Sequence, residues 1–311
     1  MSLNNKTEVV LDLTYITHAV VYYFCVVICS IGFVTNTLNI VVSARKKLLK
    51  STVGFYNILM SIFNILTLST VGYLDLFPQS IGHTPLILRS NLNCVLISYF
   101  LRVIAQMSMW LNVMVTTDRM LCVFPMLSNK YKFIKNKCIL SGIVTGLFLA
   151  ICLINVSNLF FHLNPHTGMC TSHIFVILLR DLISIVTRVV IVLILQLVMN
   201  TILIYKLIKA RKNLRMPVSL KKEYKFMFNI IILNGVFIVT ELPFLVSSIL
   251  INIYGYNQTL ISHASNEAAW ASFAYVCSIV FAAFFYVSLF FVNFFTNKMF
   301  GRECKKIFLG K

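Results

Sequence analysis

The chain has 311 residues, 59% of them hydrophobic and 12% charged, with a formal net charge of +18. Soluble domains carry about a quarter charged residues, so a soluble enzyme or binding module is excluded, and a mean hydropathy of +0.87 marks an integral membrane chain. The basic excess reads as contact with anionic lipid; nucleic-acid binding would need base-reading or aromatic motifs on a soluble face, and there are none.

Seven apolar runs follow in order, roughly Ala19 to Ala44, Val53 to Phe77, Asn91 to Thr117, Cys138 to Phe161, Leu182 to Leu207, Tyr224 to Ile253 and Ala268 to Phe295. Each exceeds the roughly 20 residues a spanning helix needs, and none has the short alternating segments of a membrane barrel. The expectation is an all-α seven-transmembrane bundle filling residues 1–311 as one domain, with 1–18 outside and a short amphipathic helix and tail at 298–311. Of the 27 Lys and Arg, 22 fall between spans one and two, three and four, five and six, at the span ends bordering those segments, or after span seven. That bias places the N-terminus outside and the C-terminus in the cytoplasm, as in a multi-pass protein of the plasma membrane. The sequons at Asn5 and Asn257 lie in segments so placed outside and are candidate glycosylation sites. Met1 to Thr17 is polar, with Glu8 and Asp12, so the first span is expected to act as the insertion signal.

Spans one and two each carry a buried amide, Asn36 and Asn64, 28 residues apart. Two readings stay open: glue that joins helices by roughly a kcal/mol per hydrogen bond, or part of a switch with Ser108 and Asn293 as further partners. Span three closes on Trp110 to Met126, where Asp118 and Arg119 stand side by side at the helix end. Reading back 25 residues from Arg119 reaches Cys94, about 37 Å away along a helix and so at the opposite membrane face.

This arrangement of cysteine, helix and Asp-Arg resembles the third helix of rhodopsin-like G-protein-coupled receptors. The resemblance implies a receptor that takes an extracellular ligand and activates a heterotrimeric G protein, with no cofactor and no enzymatic activity. In that family the second helix carries an Asp that helps hold a sodium ion; Asn64 stands in its place and cannot neutralise a cation. The family also carries a disulfide between helix three and the following outer loop. Of the nine cysteines, Cys94 and Cys170 are the two placed in the oxidising compartment, and they are expected to pair. At the inner end, Asp118-Arg119-Met120 departs from the family's Asp-Arg-Tyr in its third residue. A buried Arg needs a partner, and Glu223, twenty residues before Pro243, holds the place where related receptors often carry an acid. Arg119 with Glu223 would be a resting latch; alternatively Glu223 belongs to a solvated basic loop.

Span four is uninformative, and span five lacks the family's proline. The expectation is one sharp bend, at Pro243, with helices five and seven straighter than usual. In span six, Phe237-Ile-Val-Thr-Glu241-Leu-Pro243 aligns with the family's Phe-x-x-Cys-Trp-x-Pro, with Phe237 and Pro243 kept and Glu241 in place of the Trp. The phrase Thr-Glu-Leu-Pro-Phe resembles invertebrate myosuppressin and FMRFamide-type neuropeptide receptors and their chemosensory relatives in nematodes. A buried carboxylate is by default functional. Glu241 either receives the Arg or N–H groups of an amidated peptide, or is neutralised by Arg102, or is protonated and hydrogen-bonded to helix seven. Leu101 occupies the place of the Asp found in amine receptors, which disfavours a monoamine.

Span seven ends Asn293-Phe-Phe-Thr-Asn297 where the family has Asn-Pro-x-x-Tyr, and Asn297 therefore lacks the tyrosine hydroxyl. Met299-Phe300 and Ile307-Phe308-Leu309, with Arg302, Lys305 and Lys306 between, read as an amphipathic helix on the inner leaflet, and Cys304 is a candidate palmitoylation site. All six histidines lie outside or at the outer rim, so no intramembrane metal centre is expected. The implied ligand is a small neuropeptide or other small molecule entering between the loop of Cys170 and helices three, five, six and seven. Leu101, Arg102, Asp181, Glu241, Glu267 and Trp270 are the candidate contacts. A chemosensory receptor of the same fold is the alternative. A transporter or channel is the rival from another class, with Arg102, Arg188, Asp181 and Glu241 as a conduction path, though no internal repeat or broken span supports it.

Overall fold

A computed structural model describes residues 3–123, 137–164, 170–212, 218–260 and 266–309. Only backbone is described at 3–11, 122–123, 137, 210–212, 218–226, 255–260 and 266. Among the described residues, seven helices are long and apolar enough to cross a membrane, making this a multi-pass membrane protein. They are α1 (Asp12–Ser43), α2 (Thr52–Ser80), α3 (Asn91–Leu121), α4 (Cys138–Phe160), α5 (Ile174–Lys209), α6 (Met227–Tyr254) and α7 (Glu267–Thr296). A shorter helix, α8 (Lys298–Leu309), follows α7 after a break at Asn297.

Two spans start earlier than expected. Residues 3–31 contain neither Gly nor Pro, and the helix containing α1 runs from Leu3 without a breaker. In α5 the helix begins at Ile174, where the N–H of Phe175 donates to Nδ1 of His173. Arg180 and Asp181 do not end it because they neutralise each other, with Nε donating to Oδ1 at 2.7 Å and an Nη to Oδ2 at 2.9 Å.

Pro243 is not the one irregular point along the spans. The helix containing α6 continues through Pro243, from Val218 to Leu260. The irregular turns are π segments at Phe24–Cys29, Leu68–Leu76 and Ile185–Val190, so α5 is not a regular helix. The first two face each other: Sγ of Cys25 donates to the carbonyl of Gly72 at 3.3 Å. A Cβ on Gly72 would lie 2.6 Å from Sγ of Cys29, so any larger residue there requires the Cys29 side chain to move.

The main core runs the length of the bundle, with α6 and α7 in the most extensive contact. Phe237 of α6 and Phe285 of α7 meet edge to face at 5.1 Å and are fully buried. A second cluster of Val42, Leu48, Phe300 and Cys304 fastens α8 to the end of α1 and the turn after it.

Candidate functional site

Functional groups concentrate in three layers along α3. The first is at its N-terminal end, where Cys94 and Cys170 form a disulfide with Cα atoms 5.6 Å apart. Cys170 lies in a short strand, β2 (Cys170–Thr171), paired antiparallel with β1 (His162–Leu163). The N–H of Leu163 donates to Asn91 Oδ1 at 2.8 Å, so the loop between α4 and α5 is tied to α3 by backbone as well as sulfur.

Below this tie lie two adjoining cavities that share Leu101, Arg188, Phe244 and Tyr275 as a common wall. One, of about 290 Å³, reaches toward α1, α2 and α7, with Asp75, Gln79 and Tyr286 among its polar groups. The other, of about 390 Å³, lies among α3, α5, α6 and α7 and is lined by Arg102, Arg180, Asp181 and Arg188. Asp181 takes Arg102 at 3.2 Å and Arg180 at 2.7 Å. Arg180 also sits 4.4 Å over the ring of Phe161, and Arg188 sits 4.8 Å over that of Phe244. Guanidinium planes stacked in this way keep their N–H edges available for other partners.

Of the ligand residues expected from sequence, Leu101, Arg102 and Asp181 line these cavities, while Glu241, Glu267 and Trp270 line neither. Glu267 and Trp270 stand at the exposed start of α7, Trp270 with 54% of its surface open. Glu241 lies deeper and is wholly buried. Neither of its carboxylate oxygens has a hydrogen-bond partner among the described residues. The charge that faces it is Arg188, not Arg102, which is committed to Asp181. The hydrogen bond to helix seven considered for Glu241 is likewise absent among the described residues.

The middle layer is a ladder of amides. Nδ2 of Asn36 and Nδ2 of Asn64 both donate to the carbonyl of Tyr286, at 2.9 and 3.2 Å. Asn64 also donates to Asn36 Oδ1, and Ser108 donates to Asn64 Oδ1. One carboxamide thus joins α1, α2, α3 and α7. Nearby, Gln106 donates to Thr187 Oγ1 and accepts from Asn155, and Trp110 donates to the carbonyl of Thr187, inside the α5 π segment. Asn234 of α6 donates to Thr116 of α3 and Asn200 of α5. Asn293 does not meet Asn64: its Nδ2 donates to Asn39 at 3.4 Å, and its Oδ1 accepts from Asn229 at 2.9 Å.

The inner layer holds Asp118 and Arg119, both buried and paired with each other. Thr52 bridges them, donating to Asp118 Oδ2 at 3.1 Å and accepting from an Arg119 Nη at 2.6 Å. Thr52 is held at the start of α2, whose N–H at Gly54 donates to Ser51 Oγ. A Cβ on Gly54 would stand 2.2 Å from the carbonyl oxygen of Leu48, so the turn closes this tightly only with glycine. The side chains of Glu223, Asn5 and Asn257 lie outside the described residues, and with them the expected latch and both sequons.

Asn297 and Cys304 differ from expectation. Asn297 Oδ1 accepts from the N–H of Met299 at 3.1 Å and of Phe300 at 3.3 Å, so it caps α8. Cys304 is only 2% exposed and packs with Phe300 against Val42 and Leu48, which does not suit an acylation site.

Sequence reasoning gave no site role to Asp75, Tyr275 or Tyr286, and placed Arg188 only on a rival conduction path. An intramembrane charge needs a counter-charge, and Glu241, matched in sequence with Arg102, faces Arg188 instead. Among the described residues, no group of three or more His, Cys, Asp or Glu is placed to hold a metal ion. Compared with protein-family models and with curated proteins, the chain matches none.

Proposed function

We propose that this chain is a seven-helix receptor that binds an extracellular ligand, a small neuropeptide, and activates a heterotrimeric G protein. The observation that carries this reading is the separation of two polar sites by one packed polar ladder. Cavities lie beneath a disulfide-tied loop, and Asp118, Arg119 and Thr52 form a buried cluster at the far end of α3. A ligand at the first site can act on the second only through its differential affinity for two arrangements of the bundle. Pro243, one residue from Phe244 in the cavity wall, is a natural pivot for such a change because its ring removes a helix hydrogen bond.

The distribution of Lys and Arg supports an outward N-terminus, and a plasma-membrane location goes with the receptor reading. Exchange of guanine nucleotide on G protein, in cells or vesicles carrying the chain and screened with a peptide library, tests the reading, with Arg119→Ala as the inactive control. A chemosensory role shares every feature named and differs in the ligand. The opposite charges of Glu241, buried in α6, and Arg188 on α5 also favour a second reading, ion transport; flux through reconstituted bilayers without G protein distinguishes it.

A further inference from the structure

The larger cavity has an unbalanced lining. Among the described residues, Arg102, Arg180 and Arg188 face it against the one carboxylate of Asp181. Asp181 is engaged by Arg102 and Arg180, which leaves Arg188 as the guanidinium without a carboxylate bonded to it. Arg188 also faces Glu241 and Tyr286, and the Tyr286 hydroxyl is its neutral side-chain partner. Yet neither Glu241 oxygen nor Arg188 Nε makes a hydrogen bond among the described residues. A desolvated guanidinium with an unmade bond is costly, and its planar fork matches a carboxylate better than any neutral group.

We infer that this cavity reads a carboxylate on the ligand and that Arg188 is the residue that takes it. The inference rests on the receptor reading above and narrows its ligand class. A cationic ligand meets like charge from the lining, and an amidated peptide end leaves the fork half used. Ile177, Ile185, Val189, Ile251 and Phe244 supply an apolar rim beside the guanidinium, so the preferred acid carries an apolar group. Glu241 and the ligand then compete for Arg188, and Glu241 lies two residues before Pro243 in α6. Binding therefore loosens the attraction between α5 and α6 at the helix that carries the proline.

The carboxylate can be a peptide's free C-terminus or a small organic acid, and the test separates them. The full chain in lipid nanodiscs, without G protein, is titrated with N-acetyl-phenylalanine, N-acetyl-phenylalaninamide, butyrate and butyramide, read by calorimetry and by the thermal unfolding midpoint. The expected result is binding of N-acetyl-phenylalanine or butyrate, with the matching amide at least tenfold weaker. Tighter binding of N-acetyl-phenylalanine assigns a peptide end; tighter binding of butyrate assigns a small acid. Arg188→Gln weakens the bound acid about 30-fold, and Arg188→Lys, which keeps charge without the fork, gives a smaller loss and serves if the Gln variant does not fold. Equal binding of acid and amide, an undiminished response in folded Arg188 variants, or no binding of either acid overturns the inference. Acid binding that produces no nucleotide exchange upholds it and counts against the receptor reading. Exchange driven by an amide that binds independently of Arg188 does the reverse.

Discussion

Ser108 on α3 donates a hydrogen bond to Oδ1 of Asn64 on α2, in the middle of the bundle and shielded from solvent. The same carboxamide donates to Asn36 and to the carbonyl of Tyr286. Its position fixes three neighbouring helices to a fourth, and its neutrality decides how that junction responds to ions.

Asn64→Leu removes a donor and an acceptor and leaves Ser108 and Asn36 without them. Interhelical hydrogen bonds in membranes are worth roughly 0.6 to 2 kcal/mol each. The expected outcome is a loss of about 1 to 3 kcal/mol, seen as a lower unfolding midpoint in detergent or nanodiscs. A midpoint within one degree of the parent would show that the junction is not structural.

Replacing NaCl by choline chloride should leave basal nucleotide exchange unchanged, because an amide at position 64 offers no charge to a sodium ion. Asn64→Asp should introduce a sodium dependence at the same ionic strength. Sodium sensitivity in the parent chain would mean that a cation is held by other groups.

Thr52→Val keeps the shape of the side chain and removes the hydroxyl that bridges Asp118 and Arg119. Loss of these two bonds, at about 0.5 to 1.5 kcal/mol each, is enough to shift a two-state balance by roughly 5- to 150-fold. Basal exchange on G protein should rise by that factor if the bridged pair marks the resting arrangement. Arg119→Ala should abolish stimulated exchange while leaving surface expression within about twofold.

Burial pushes the Cys304 thiol above its ordinary pKa, which lowers the fraction of reactive thiolate at neutral pH. Maleimide should therefore label Cys304 slowly in the native chain, faster as pH rises, and fully in dodecyl sulfate. Metabolic labelling with palmitate should leave Cys304 unmodified. Rapid native labelling at pH 7 would mean that α8 is not seated on α1.

Replacing Cys94 and Cys170 together by Ser opens a loop spanning 76 positions of sequence. For a free chain that closure is worth at most about 4.5 kcal/mol, and less here because unfolded spans stay in the membrane. The expected outcome is a modestly lower unfolding midpoint with a larger loss of ligand binding, since the loop over α3 is then held mainly by the bond from Leu163 to Asn91. Binding unchanged in the double variant would place the ligand away from this end.

The seven spans were legible because length and hydropathy are properties of each segment alone. So was the meeting of Asn36 with Asn64, two amides in neighbouring spans. Counting at 3.6 residues per turn failed where a π segment intervenes, since one extra residue rotates everything beyond it by about 100°. Arg188 lies within such a segment, and its facing of Glu241 could not be counted from either helix end. Leu101 and Glu241 are both expected contacts of the ligand, yet Leu101 lines both cavities and Glu241 lines neither. Asn297 was read as a lost tyrosine, but a side-chain oxygen before a new helix is a cap first.

The seating of Phe300 and Cys304 against Val42 and Leu48 gives α7 and α1 a common footing at the end nearest Arg119. Neighbours without that footing must absorb any displacement there. At that end α6 reaches α7 through Asn229, whose side chain bonds both Asn293 and Thr296. An outward swing of α6 would draw this amide like the bolt of a door whose frame stays put.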